Sequence, residues 1–178
     1  TPDIFHGMSA LDRWVSYKLV PRNDGSGKSD KVPHNGQHGL STDCPSNWTP
    51  LIKALEQASE WIGLHGVGFV MTGGVQYDDW TLVGFDFDGV DFDKWKPPFK
   101  TYAEKSPSKE GVRMFAWVRT SWAKEFQDTL NCTPPNCDHC EVYIGTAPRF
   151  LTVTFDVIQS EGIARLSGKD MLTIEAWG

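Results

Sequence analysis

The chain has no stretch approaching the ~18 consecutive apolar residues that a membrane-spanning helix needs. Its first ten residues lack a basic head followed by an apolar run, so no secretory leader is read there. Cysteine is scarce: four in 178 residues do not staple a disulfide scaffold. Internal repeats and low-complexity tracts are missing, which excludes solenoids and propellers. Positive charge is in deficit, with 17 Lys and Arg against 23 Asp and Glu and a net charge of −6. That sum, taken alone, argues against a nucleic-acid partner. What is present is a folding composition: 39% hydrophobic and 22% charged residues point to a packed core. The length suits one domain over residues 1–178, or two lobes divided near residue 65.

The mean charge hides a distribution. Lys94, Lys96, Lys100, Lys105 and Lys109 fall in one stretch whose only acid is Glu104, with Trp95, Phe99 and Tyr102 interleaved. The plain reading is a solvated loop. The functional reading is a surface for single strands, where bases stack on aromatics and lysines attract the backbone.

A coarse pass along the chain yields strands and helices in mixed order. Residues 10–19 suit a strand or short helix, and the Gly-, Asp- and Pro-rich stretch 21–39 reads as a loop. Thr49-Pro50 and the spacing of Leu51, Ile52, Leu55, Ala58 and Ile62 predict a helix over about 50–61, ended by Gly63 and Gly66. Strands are expected at 67–72 and 81–88, as a hairpin around 73–79, then at 102–106 and 112–118. Ser121, Trp122, Phe126 and Leu130 predict a helix over 121–130. Two further strands, 141–144 and 149–154, flank a turn at 145–148. The sum is an α+β fold, one sheet with helices against it.

Asp86 and Asp88 stand two apart on a predicted strand, so both carboxylates share one face while Phe85 and Phe87 take the other. Their Cα atoms lie about 6.5 Å apart. Carboxylates that close repel unless a cation sits between them, and Mg²⁺ or Mn²⁺ suits such oxygens. Gly89 ends the strand at once. Two solvent-facing acids would be the plain alternative, but Asp is depleted in strands.

The 106–111 loop, Ser-Pro-Ser-Lys-Glu-Gly, then leads into a strand bearing Arg113. Hydroxyls, backbone N–H groups and a guanidinium are the parts that hold a triphosphate. A hairpin between the last two strands would add Glu141 as a third acid and Arg149 as a second arginine.

Taken in order, Lys31-Val32-Pro33, Ser41-Thr42-Asp43 with Trp48, Gly68-Phe69-Val70-Met71-Thr72 and Gly84-Phe85-Asp86-Phe87-Asp88 are followed by Tyr102 to Ser108, Gly111-Val112-Arg113, Glu141-Val142-Tyr143 and Arg149 to Thr154. This series resembles the primase-polymerase domain of phage and mobile-element replication proteins, within the archaeo-eukaryotic primase superfamily. The resemblance covers about residues 14–154. It implies an RRM-like antiparallel or mixed sheet with flanking helices, a site for Mg²⁺ or Mn²⁺, and template-directed joining of nucleotides. Asp86, Asp88 and Glu141 match the family's metal-binding and catalytic acids. Ser106, Ser108, Arg113 and Arg149 match nucleotide-binding positions, and Lys31 matches a recurring lysine grouped with them. The implied partners are a single-stranded DNA template, dNTP or NTP, and a helicase or helical accessory module in a longer protein, in the cytoplasm and away from membranes. Two positions depart from the pattern. Lys109 stands where a glycine is usual, and Phe155 follows Thr154 where the family often has glycine.

Cys132, Cys137 and Cys140 with His139 have spacings that suit structural Zn²⁺, although adjacent His139 and Cys140 are awkward ligands for one ion. Free thiols or a Cys137–Cys140 disulfide are the plainer readings. Rival functions are a metal-dependent glycosyltransferase using the D-x-D pair, a non-catalytic RRM-like module for single strands, and a metal nuclease. The glycosyltransferase has no use for the loop leading to Arg113, and the binding module would show aromatics where carboxylates are expected.

Overall fold

The computed structural model describes residues 7–126, 128–145 and 148–178. In chain order its elements are β1 (Trp14–Pro21), β2 (Ser29–Pro33), α1 (Leu51–Glu60), β3 (Gly66–Val70), β4 (Gln76–Tyr77), β5 (Trp80–Asp88), β6 (Ala103–Lys105), β7 (Val112–Arg119), α2 (Thr120–Ala123), β8 (Thr129–Cys132), β9 (His139–Tyr143), β10 (Phe150–Val153), β11 (Val157–Gln159) and α3 (Gly168–Glu175). Every pairing between these strands is antiparallel, and with few helices the class is α+β. The chain divides into two compact units: Gly7–Val70 with Pro148–Val153, and Met71–Ala147 with Thr154–Gly178. Among the described residues no helix is long and apolar enough to cross a membrane.

The first unit is a four-stranded sheet in the order β10-β3-β1-β2, with α1 packed on β1 and β3. The first half of β1 is buried on both faces, and Trp14 meets Phe69 edge-on with ring centres 5.2 Å apart. The Trp14 indole N–H is satisfied by the Met8 carbonyl at 3.1 Å, as a buried indole requires. In α1 the buried residue is Ala54, whose small side chain lets the helix approach the sheet, while Ile52 and Leu55 point outward. The stretch expected as one loop over 21–39 instead returns as β2, registering Lys18 with Val32 and Leu19 with Lys31.

The second unit is a sheet in the order β11-β6-β7-β5-β9-β8, with β4 on the end of β5. Strand alternation sorts its residues. Val83, Phe85 and Phe87 of β5, Val112, Met114 and Ala116 of β7, and Cys140 and Val142 of β9 face a core that also takes Trp95, Phe99, Met171 and Ile174. Phe85 and Phe87 are fully buried and stack with ring centres 6.0 Å apart. Burying each contributes about 1.5–3 kcal/mol, and Phe85→Ala would cost about 3–5 kcal/mol with the cavity included. α3 closes this face. Ser167 caps it in a reciprocal box with Asp170, and Met171 and Ile174 turn inward.

Three local expectations are corrected. The helix expected over 121–130 is the single turn Thr120–Ala123, because Thr129–Cys132 pairs with β9 as β8. Threonine, asparagine and cysteine are weak helix formers, so the ladder wins. β3 and β5 are not hairpin partners: β3 pairs β1 and β10, and β5 makes its tight turn with β4. Likewise β9 lies between β5 and β8, whereas β10 joins β3 in the first unit.

Candidate active site

Register in the second unit lines up one residue from each of five strands. Asp86 on β5 opposes Arg113 on β7 and Glu141 on β9; Arg113 opposes Glu104 on β6, and Glu141 opposes Asn131 on β8. Residues directly opposite share a face. The sheet therefore carries a transverse row, Glu104–Arg113–Asp86–Glu141–Asn131, on the side away from the aromatic core. Asp88 lies two residues along β5 on the same face, opposed to His139.

Arg113 is the cation of this row and is only 4% exposed. Its Nη2 donates to Asp86 Oδ2 at 3.0 Å, an ion pair with little solvent around it. The pair leaves polar atoms over. Asp86 Oδ1 and the Nε and Nη1 of Arg113 are buried without a hydrogen-bond partner. Buried polar groups are ordinarily satisfied, so an acceptor and two donors left side by side mark a place built for something else.

The flanking carboxylates are held by a repeated device. Tyr143 donates its hydroxyl to Glu141 Oε2 at 2.5 Å, and Tyr102 donates to Glu104 Oε2 at 2.6 Å, each from two residues away on the same strand face. Glu104 is fully buried and also accepts the backbone N–H groups of Thr154 and Phe155 at 2.9 and 3.0 Å. Burial pushes its carboxyl above the usual carboxylate range, against the pull of those bonds and of Arg113. Burial and the Glu104 charge push the Tyr102 hydroxyl well up, so it remains a donor. Asp88 is also held above the ordinary value, first by partial burial and then by the charges of Asp86 and Glu141; Arg113 and His139 pull it down.

The strand ends are fitted to this row. Gly89 is left-handed at φ +60, and a Cβ there would meet the Asp138 carboxylate at 2.0 Å, so a fifth acid lies over the end of β5. A Cβ on Gly111 would meet the Phe87 carbonyl at 2.4 Å, so only glycine allows β7 to start so close to β5. The 106–111 loop is internally tied. Ser106 Oγ accepts the Gly111 N–H at 3.1 Å and lies 3.1 Å from Ser108 Oγ, and Ser108 Oγ accepts the Glu110 N–H at 3.3 Å. Ser106 is buried and serves the loop, while Ser108 is exposed. Lys109 sits at φ +64 and Phe155 at φ +61, both left-handed.

Of the residues singled out in the sequence, the sheet brings Asp86, Asp88, Glu141 and Arg113 onto one face, with Ser106 and Ser108 in the loop that enters β7. Lys31 and Arg149 belong to the other unit, Lys31 exposed on β2 and Arg149 half-buried just before β10. Trp95, Phe99 and Tyr102 are at most 5% exposed, which overturns them as a stacking surface for single strands. Of the lysines of that stretch, Lys94, Lys96, Lys100 and Lys109 are exposed, and Lys105 is half-buried with its ammonium 5.5 Å from the Phe92 ring centre. Cys132 and Cys140 oppose each other on the core face, with the Cys132 thiol 3.4 Å from the Cys140 carbonyl. His139, one residue before Cys140, faces the acidic side, so strand alternation separates it from the expected Cys₃His set.

Among the described residues no group of three or more His, Cys, Asp or Glu side chains is gathered as a metal shell. The acids form an open row instead. Their chemistry fits a divalent cation: three carboxylates at adjacent positions of one face, one with a buried unpartnered oxygen and one raised by partial burial and then by its neighbours' charge. The sequence reading missed Glu104, Tyr102, Tyr143 and Asp138 as parts of the site. The spacing Tyr-x-Glu at 102–104 and Glu-x-Tyr at 141–143 is the signal that points to the first three; Asp138 carries none. The chain matches no protein-family model and no curated protein.

Proposed function

We propose that this chain is a template-directed nucleotidyltransferase, a primase-polymerase of the archaeo-eukaryotic type with an RRM-like catalytic sheet, acting on dNTP or NTP over single-stranded DNA. One observation carries the reading: Asp86 Oδ1 and the Nε and Nη1 of Arg113 are orphaned together in the middle of a carboxylate row. A triphosphate with a divalent cation supplies both missing partners, because its oxygens accept from the guanidinium and the cation takes the carboxylate. A second observation supports it. The two positions where the resembled family carries glycine, Lys109 and Phe155, are both left-handed here, the conformation glycine favours.

Asp86, Asp88 and Glu141 would hold Mg²⁺ or Mn²⁺. When bound, the cation lowers the pKa of a primer 3′-hydroxyl and stabilises the leaving pyrophosphate. The protein's own work is positional. Arg113, held by its ion pair to Asp86, would turn its unpartnered Nε and Nη1 to the triphosphate and offset charge that builds there. Tyr143 orients Glu141. The Ser106–Ser108 turn fixes the loop beside the nucleotide, and Ser108 alone has a solvent-facing hydroxyl to offer it. Glu104 holds Tyr102 and the Thr154–Phe155 turn and keeps a counter-charge behind Arg113.

The test is synthesis on single-stranded DNA with labelled dNTP or NTP, primed and unprimed, in Mg²⁺ and in Mn²⁺, with Asp88→Ala and Glu141→Gln alongside. Template-dependent product that both variants lose supports the reading. Blank lanes together with no metal-dependent nucleotide binding refute it.

A further inference from the structure

We infer that the far end of the catalytic sheet face holds the single strand, through a paired-arginine site on Trp80. Trp80 opens β5 and opposes Arg119, the last residue of β7. Arg165 reaches the same place because residues 164–166 run beside β7: Trp117 donates to the Ala164 carbonyl and Leu166 donates to the Trp117 carbonyl, both at 2.8 Å. The two guanidinium carbons lie 4.3 and 5.1 Å from the Trp80 ring centre. Both arginines are exposed, and among the described residues neither makes an ion pair, including with Asp78 and Asp79 of the adjoining turn. Tyr77, 65% exposed, opposes Trp80 across the β4–β5 hairpin and so shares its face.

Two unpaired cations on one indole repel each other unless an anion joins them. In a chain of net charge −6 their pairing stands out. Arginine forks match phosphate oxygens bidentately, and the exposed ring of Tyr77 supplies a π-face to an unstacked base. An acidic peptide would use the arginines and leave Tyr77 idle, so single-stranded nucleic acid is the ligand the set favours. By strand alternation Trp80 and Asp86 lie on the same face of β5, about 20 Å apart at the usual rise. The site would therefore hold the strand beyond the reacting nucleotide; only this placement rests on the nucleotidyl-transfer reading.

The test is fluorescence anisotropy of a labelled oligothymidylate with the whole chain, in EDTA and without nucleotide, over a salt series. The double variant Arg119→Ala/Arg165→Ala is compared with the unaltered chain, with thermal melts to show that both are folded. The expected result is a loss of roughly tenfold or more at low salt, and a fall of about 1.4 in the slope of log affinity against log salt, about 0.7 for each lost phosphate contact. Arg119→Lys/Arg165→Lys keeps the slope. Equal binding by the double variant and the unaltered chain overturns the inference, as does no binding by the unaltered chain. Competition by polyglutamate as strong as by unlabelled oligonucleotide overturns it in favour of an acidic protein partner. Since no metal or nucleotide is present, a failure of synthesis leaves this result standing, and a failure here leaves the synthesis assay standing.

Discussion

Replacing Arg113 with methionine removes the one cation from the row Glu104–Arg113–Asp86–Glu141 while keeping an unbranched side chain in its slot. The Arg113 and Asp86 side chains are 5% and 13% exposed, so water screens the loss poorly. Asp86 then faces Glu141 with no counter-charge, and fully buried Glu104 loses the charge beside it. Breaking a buried pair from one side costs about 3–5 kcal/mol. A Coulomb estimate agrees, since unit charges about 4 Å apart at an effective dielectric constant of 20 interact by about 4 kcal/mol. At about 2–4 °C per kcal/mol for a chain of this size, Arg113→Met should melt about 6–20 °C lower in EDTA. Mn²⁺ should recover part of that loss, because the carboxylates then gain a different counter-ion. Calorimetry and urea unfolding, with and without Mn²⁺, make the measurement. A loss under about 1 kcal/mol would refute the claim that this guanidinium neutralises the row.

Further outcomes follow from the same geometry. Asp88 and Glu104 are both raised, so the folded state holds their protons more tightly than the unfolded chain does. The contribution of these two groups to stability in EDTA is therefore full below the ordinary carboxylate pKa of about 4 and is lost as pH rises through the raised values, less steeply with Mn²⁺ present; a pH profile of melting temperature that Asp88→Asn with Glu104→Gln leaves unchanged over that window contradicts the assignment. Lys109→Gly, at an exposed left-handed position, should stabilise by about 0.5–1 kcal/mol in urea unfolding, the relief of φ strain less the added freedom of the unfolded chain. Cys44 is exposed, whereas burial raises Cys137 and a hydrogen bond to Cys132 together with burial raises Cys140. Iodoacetamide should modify Cys44 first and leave Cys140 until the chain unfolds, as peptide mapping would show.

The parts of the site that lie on single strands were legible. Period-two alternation placed Asp86 and Asp88 opposite the Phe85–Phe87 face. What joins the strands was not. That β3 pairs β1 and β10, and that β9 pairs β5, depends on contacts between residues distant in sequence. Local spacing favours the nearest hairpin instead. The helix expected over 121–130 failed for the same reason, since β9 recruits residues 129–132. The lysine-aromatic stretch shows a different limit. In an irregular segment no periodicity says which way a ring points, and Trp95, Phe99 and Tyr102 turned inward. Glu104 was the one acid in that stretch, and its burial behind Arg113 shows only once β6 is laid against β7.

The most direct measurement is incorporation by the whole chain on a primed homopolymer template, in Mn²⁺, with each labelled nucleotide offered alone. A templated nucleotidyltransferase adds only the adenine nucleotide on oligothymidylate and only the guanine nucleotide when the template is oligodeoxycytidylate, and Asp88→Ala adds neither. Addition that ignores the template, or product that persists undiminished in Asp88→Ala, would contradict the account.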